Sequence, residues 1–86
     1  MQNGTKVRGV YYGHAWTGVV YHSEPSWTEI NKYHGPCNHY YVKLDTPLQY
    51  FGEREDLALL DMIPNGVNGW KHYRNDVYLI SVVTEA

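Results

Sequence analysis

His34, Cys37 and His39 fall within six residues, in the stretch HGPCNH. Zinc is held by four donors in a tetrahedron, commonly neutral imidazoles and thiolates. These three residues would supply three donors, and His14, His22 or His72 a fourth. The spacing H-x-x-C-x-H matches no common structural zinc pattern, and the chain holds a single cysteine. A Cys37–His39 catalytic pair is the other chemical reading, since residues two apart on a strand share a face. It would need a thiolate held in a positive environment and a base oriented by a third group, and no orienting residue suggests itself. The simpler reading makes Gly35-Pro36 a turn, tucks Cys37 into the core as a small hydrophobe and leaves His39 on the wet face of a strand. Glu53, Glu55, Asp56 and Asp61 read as a solvated turn and its flank before they read as paired acid–base carboxylates. No cofactor is indicated.

The rings carry more weight. Aromatic residues make up 15% of the chain, with nine Tyr, three Trp and one Phe among 86 residues. Tyr and Trp bury large apolar area while keeping a polar handle, so they suit small cores and binding surfaces alike. Tyr11, Tyr12 and Trp16 surround the first predicted connection, and Tyr40-Tyr41 and Tyr50-Phe51 lie on predicted strands. Strand alternation sends one of each adjacent pair inward and one outward. Tyr12, Tyr41 and either Tyr50 or Phe51 would then form an exposed face with Trp16 at its edge. Lys6, Arg8 and Lys43 fall on outward positions nearby, as single-stranded nucleic acid would require of a stacking surface. The competing readings are that the rings fill the core or an interface between copies, and that the lysines and arginine are ordinary solvated charges.

These side chains must be positioned by a small scaffold. Eighty-six residues make one domain, and the punctuation by Gly and Pro around short runs rich in Val, Tyr, Ile and Leu predicts an all-β fold. Asn38 to Asp45 alternates strictly, Tyr40, Val42 and Leu44 against His39, Tyr41, Lys43 and Asp45, until Thr46-Pro47 interrupts it. Thr5 to Tyr12 and Thr17 to Ser23 read as the first two strands, with a bulge or bend at Gly9. Leu48 to Phe51 reads as a fourth strand, Glu53 to Asp56 as a single helical turn, and Leu57 to Met62 as a short strand after it. Residues 24–37 form a long loop or a short helix holding Trp27 and Tyr33. Residues 65–76 form a mobile loop docked by Trp70 and Tyr73. The last strand, Asp76 to Val83, is apolar on both faces, so it is either central or covered on its outer side, and a second copy of the chain would serve as the cover.

Seven basic residues against nine acidic ones give a net charge of −2. That argues against a general nucleic-acid coat, which needs cations to neutralise phosphates. One cysteine rules out an internal disulfide and suits a cytoplasmic setting. No apolar run approaches the length of a membrane-spanning helix.

Three segments occur in a familiar order: TKVRGVYYGHAWTGVV, then YYVKLD, then EREDLALLD. Together, over about residues 5–62, they resemble SH3-like β-barrels of the Tudor and KOW type. The resemblance implies a five-stranded, strongly bent barrel spanning residues 1–86, with the 24–37 insertion and the tail after Pro64 as departures from the family pattern. It also implies a non-enzymatic module that binds peptides, modified side chains or nucleic acid through rings at one barrel end. In general style the chain is also similar to small proteins of phages and other mobile elements. The expectation is a binding module using Tyr12, Trp16, Tyr41 and Phe51, with Arg8 and Lys43, to engage a protein, a peptide or single-stranded nucleic acid. A self-associating interaction protein, as a homodimer, is the alternative. A metal protein or enzyme built on His34, Cys37 and His39 ranks last.

Overall fold

Alternation of apolar and polar residues sets which way each strand faces, and the computed structural model shows how the strands join. It describes residues 1–26 and 37–83. Among these the strands are β1 (Lys6–Tyr11), β2 (His14–Pro25), β3 (Asn38–Gln49), β4 (Glu53–Pro64), β5 (Gly69–His72) and β6 (Tyr78–Val82). All neighbours are antiparallel, and the order β1-β2-β3-β4-β5-β6 closes through β6 onto β1. The fold is therefore an all-β closed barrel with six strands where five were expected. The additional strand is β5, which lies inside the segment expected to be a mobile loop. It is short, but it pairs with β4 through Met62, Ile63 and Pro64 and with β6 through Leu79, Ile80 and Ser81.

The interior is filled from alternate positions. Val7, Trp16, Val20, Tyr40, Val42, Leu44, Leu57, Leu59, Met62 and Ile80 form one buried cluster, with Tyr11, Leu48, Trp70 and Tyr78 packed against it. Tyr40, Val42 and Leu44 thus face inward together, as their period-two spacing requires. Trp70 docks on this core, its ring 6.0 Å from that of Tyr40.

Bulges bend the long strands enough to close so small a barrel. Between β2 and β3 the register slips at Val20/His22, so Tyr21 and His22 together oppose Tyr41. Between β3 and β4 it slips twice, near Asn38/Tyr40 and between Lys43 and Leu48. The second slip contains Thr46-Pro47. Proline does interrupt the ladder there, but its fixed φ is compatible with extended chain, so β3 continues to Gln49. The expected fourth strand at 48–51 is instead the end of β3 followed by a turn. The helical turn expected at 53–56 is also corrected, because β4 begins at Glu53. A single helical turn adds few hydrogen bonds for the residues it fixes, whereas pairing of Glu53 with Gln49 and Arg54 with Leu48 satisfies the same backbone groups across the hairpin. The helix or loop expected between Pro25 and Cys37, with Trp27, Tyr33 and His34, lies outside the described residues.

Gly9 shows how tight the closure is. A Cβ there would overlap the Leu79 carbonyl oxygen and approach Trp16 Cζ2 to 2.7 Å, at the point where β1 is paired with both β2 and β6. Gly13 is the opposite case, since its Cβ would meet nothing within 4 Å but its φ is +84°. Gly9→Ala should therefore cost about 1–3 kcal/mol or more through overpacking. Gly13→Ala should cost only about 1 kcal/mol, through backbone strain. Urea unfolding of both variants checks the ranking: equal losses would mean that the contact at Gly9 is not tight.

Candidate functional site

Three connections converge at one end of the barrel. β1 and β2 are joined by Tyr12-Gly13, between the paired residues Tyr11 and His14. Both turn residues have positive φ, +48° and +84°, which is the geometry of a type I′ hairpin and one that normally selects Asn-Gly. β3 and β4 are joined by Tyr50-Phe51-Gly52, between the pair Gln49 and Glu53, with φ of +51° at Phe51 and +106° at Gly52. The third connection, residues 73–77, leads into Tyr78, and the Tyr12 amide donates to the Val77 carbonyl at 2.9 Å.

The result is a set of four interlocked phenol rings. Tyr11 stacks on Tyr78 (centroids 5.4 Å, planes 10° apart) and Tyr12 stacks on Tyr50 (5.1 Å, 7°). The two stacks meet edge to face, with Tyr11–Tyr12 at 4.9 Å, Tyr11–Tyr50 at 5.4 Å and Tyr12–Tyr78 at 5.6 Å. Offset-stacked and edge-to-face pairs are the arrangements that the ring quadrupole favours. The Arg54 guanidinium lies 5.9 Å from the Tyr11 centroid and 5.7 Å from that of Tyr50, and Arg54 Nε donates to the Tyr50 carbonyl at 2.9 Å. His14 and Phe51 add their edges to Tyr50 at 5.7 and 4.7 Å. Because the rings are in contact with one another, they form a filled ridge and leave no open cage for a methylated ammonium group. Arg54 already supplies a cation to the ring faces.

Exposure differs sharply along this ridge. Tyr11, Tyr50 and Tyr78 are half-buried, Tyr12 is 44% exposed and Phe51 is 89% exposed. Burial pushes the Tyr78 hydroxyl above its ordinary pKa, as does its contact with the Tyr12 hydroxyl at 3.3 Å.

The six residues expected to form one face are divided among four places. Tyr12 and Phe51 lie at the aromatic end. Trp16, expected at the rim of that face, is 6% exposed and part of the core. Arg8 is outward on β1, opposite Thr17, and makes no ion pair among the described residues. Tyr41 and Lys43 lie on the outer side of β3. Tyr41 donates to Glu24 at 2.9 Å, and its ring neighbours are His22 and Tyr21. Tyr21 in turn donates to Asp56 at 3.3 Å. The hydrogen bond from Tyr41 lowers the Glu24 pKa, and the same bond raises that of Tyr41. Lys43 faces Glu55 at 3.8 Å with both side chains well exposed, a geometry that contributes little to stability. Lys6 and Lys43 flank Val19 from either side, so Lys6 and Arg8 on β1 are separated from Lys43 on β3 by the width of β2.

The chemical reading of Cys37 and His39 fares differently. Cys37 is buried, and burial followed by the Asp61 charge raises its thiol pKa, which is unfavourable for a nucleophile or a thiolate ligand. His39, expected on a wet face, is 6% exposed, and its Nδ1 accepts the Asp61 amide at 3.1 Å. That bond fixes the ring at the β4 bulge, where Asp61 has φ of +54°. The structural role therefore accounts for both residues. His34 lies outside the described residues, and among those described no three His, Cys, Asp or Glu side chains are grouped to hold a metal.

Sequence reasoning missed Tyr78 and Arg54. By sequence Tyr78 reads only as an apolar residue of the last strand, and Arg54 as part of a helical turn. The available signal was the pairing of a tyrosine doublet with a tyrosine opening the last strand. No family model, no curated protein and no solved structure matches the chain.

Two outcomes follow from this geometry. Tyr78 holds its proton more tightly when folded than a free tyrosine of pKa about 10, so its contribution to stability is complete below pH 10 and is lost as pH rises above it. In urea titrations the wild type should therefore lose more stability between pH 10 and 11 than Tyr78→Phe, which has no hydroxyl to ionise. Phe51 has one ring neighbour among the described residues and a backbone geometry that disfavours a bulky side chain. Phe51→Asn should raise stability by about 0.5–1 kcal/mol, read as a higher urea midpoint.

Proposed function

We propose that this chain is a small non-enzymatic binding module whose contact surface is the aromatic barrel end, with Phe51, Tyr12 and Tyr50 as anchors. The observation that carries this reading is Phe51, which is 89% exposed and held in left-handed backbone at a hairpin tip. Folding gives no reason for a phenylalanine there, since Asn or Gly would relieve the strain and bury no less. Strained backbone that presents a side chain to solvent is a recurring mark of binding sites, and a second case, Tyr12, lies across Tyr50 from the first. The four-ring stack beneath them, clamped by Arg54, is a rigid base that keeps the entropic cost of binding low.

The partner we favour is a protein or peptide. Tyr, Phe and Arg are enriched where proteins meet. The cations available to a nucleic-acid backbone are few at this end: Arg54 is spread over two rings, Arg74 stands on the third connection, and Glu53, Glu55 and Asp56 follow the second turn. On this reading the module is an SH3-like barrel of the Tudor and KOW type in which β5 is an addition. Its single buried cysteine suits a reducing, cytoplasmic setting.

Light scattering on purified protein, followed by selection from a displayed random-peptide library, tests the proposal. Selected peptides should lose at least tenfold in affinity against Phe51→Asn and Tyr12→Asn, and bind Val67→Asn, at the other barrel end, as they bind the wild type. Peptides insensitive to both substitutions would overturn the assignment of the surface. Saturable binding of oligo(dT) that weakens steeply with salt would replace the peptide reading with a nucleic-acid one. A dimer dissolved by Phe51→Asn would make a second copy the partner.

A further inference from the structure

Asp61 is a corner at which three backbone segments are tied together. Its amide donates to His39 Nδ1 on β3 at 3.1 Å, and its carbonyl accepts the Tyr73 amide at 3.0 Å. Its own φ is +54°, a conformation that a residue with a Cβ keeps only when its surroundings hold it there. A second histidine stands beside this corner. His72, at the end of β5, pairs with Met62, and its Nδ1 accepts the Arg74 amide at 3.2 Å. The Tyr73 amide therefore sits between two backbone amides that both end on imidazole nitrogens.

An imidazole nitrogen accepts a hydrogen bond only while it carries no proton. Both rings must be neutral, with the proton on Nε2, for these bonds to exist. Protonation of Nδ1 turns each acceptor into a donor that faces another donor. At His39 a different partner is at hand, since Asp61 Oδ1 lies 3.9 Å from Nδ1 on a side chain that is 24% exposed and has room to turn. At His72 burial pushes the pKa below the ordinary histidine value, opposed by the Asp61 carboxylate and reinforced by Arg74. The stability that a neutral His72 contributes is therefore complete above the ordinary value of about 6.5 and is lost as pH falls below it. The other titratable groups around the pair, among the described residues, are Glu24 opposite His39 on β2, the Cys37 thiol within the field of Asp61, and the Tyr73 and Tyr78 rings against His72.

We infer that His39 and His72 form an acid-operated latch on the connection between β5 and β6. In neutral solution their Nδ1 atoms hold the Asp61 and Arg74 amides, and Asp61 holds Tyr73. When His39 takes a proton from solvent, Nδ1 donates to the Asp61 carboxylate instead, the Asp61 amide is released, and the corner gives up Tyr73. Protonation of His72 releases the Arg74 amide beside it, so residues 73–77 come away from the barrel at their root. Their far end carries the Val77 carbonyl that accepts the Tyr12 amide and leads into Tyr78 of the ring stack, so the latch reaches the aromatic end. The latch is a property of the unliganded chain. Only its effect on peptide capture rests on the binding reading proposed above, and its test therefore uses no peptide.

Nitrogen-15 NMR of the protein alone, between pH 8 and pH 4.5, tests it. At pH 8 both rings should show a proton on Nε2 and none on Nδ1. As pH falls, the Asp61 and Arg74 amide signals should move with the charging of His39 and His72. Protection of the Tyr73 and Tyr12 amides against exchange, corrected for the intrinsic rate, should fall about tenfold or more. His39→Asn and His72→Asn each offer a side-chain oxygen that accepts without titrating, and together they should keep that protection to pH 4.5. The wild-type titration decides the matter even where the double variant does not fold. A proton on His39 Nδ1 at pH 8 would overturn the inference. So would rings still neutral at pH 4.5, Tyr73 and Tyr12 amides equally protected with both rings charged, or the same loss of protection in a folded double variant.

Discussion

Pairing of β6 between β1 and β5 is the constraint on which the other features depend. Five backbone pairs join β1 to β6, from Val7–Val82 to Tyr11–Tyr78, and they connect the two ends of the chain. This closure removes the sheet edges that would otherwise invite pairing with another chain. It buries Ile80 against Val7 and Trp16, and it sets Tyr78 beside Tyr11 so that their rings stack. Gly9 is what permits it, because any side chain at that position would meet the β6 backbone. A small domain has little stability in reserve, so the loss of this single seam would remove the core and the aromatic end together.

The strand irregularities are where the barrel acquires its surface features. The Tyr21/His22 bulge turns two side chains outward together and creates the Tyr41–Glu24–His22 group on the outer sheet. The Asp61 bulge is held by His39, whose ring nitrogen accepts the Asp61 amide. The slip at Thr46-Pro47 lets residues 46–48 form one wall of a cleft on the outer side of β1 and β2. In each case the ladder gives up a few backbone bonds, and the bend it gains brings specific side chains into contact, as bulges next to functional surfaces commonly do.

At the aromatic end, strain and stacking oppose each other with unequal results. Tyr12 and Phe51 both occupy left-handed backbone, at a cost of about 1–2 kcal/mol each. Tyr12 recovers this through contacts with Tyr11, Tyr50 and Tyr78, each worth about 0.5–1.5 kcal/mol. Phe51 has only the edge of Tyr50 and stays in solvent. Both rings reach solvent, but Tyr12 is held within the stack while Phe51 extends beyond it, although the two look alike in sequence.

The sequence by itself determined the all-β class, the inward set Tyr40, Val42 and Leu44, the ladder break at Thr46-Pro47 and the burial of Cys37. All of these follow from local rules: period-two alternation, the missing proline donor and the burial preference of a lone thiol. It did not reveal β5, because four residues flanked by Gly, Asn and Pro carry no period of their own and become a strand only through partners on both sides. It placed Trp16 at a surface, since one residue of a hairpin gives no sign that the opposing Gly9 will leave room for an indole. The grouping of Tyr11, Tyr12, Tyr50 and Tyr78, and the separation of Tyr41 from them, were decided by barrel closure alone. Which rings meet depends on which distant strands pair and in what register, and that is a property of the closed sheet.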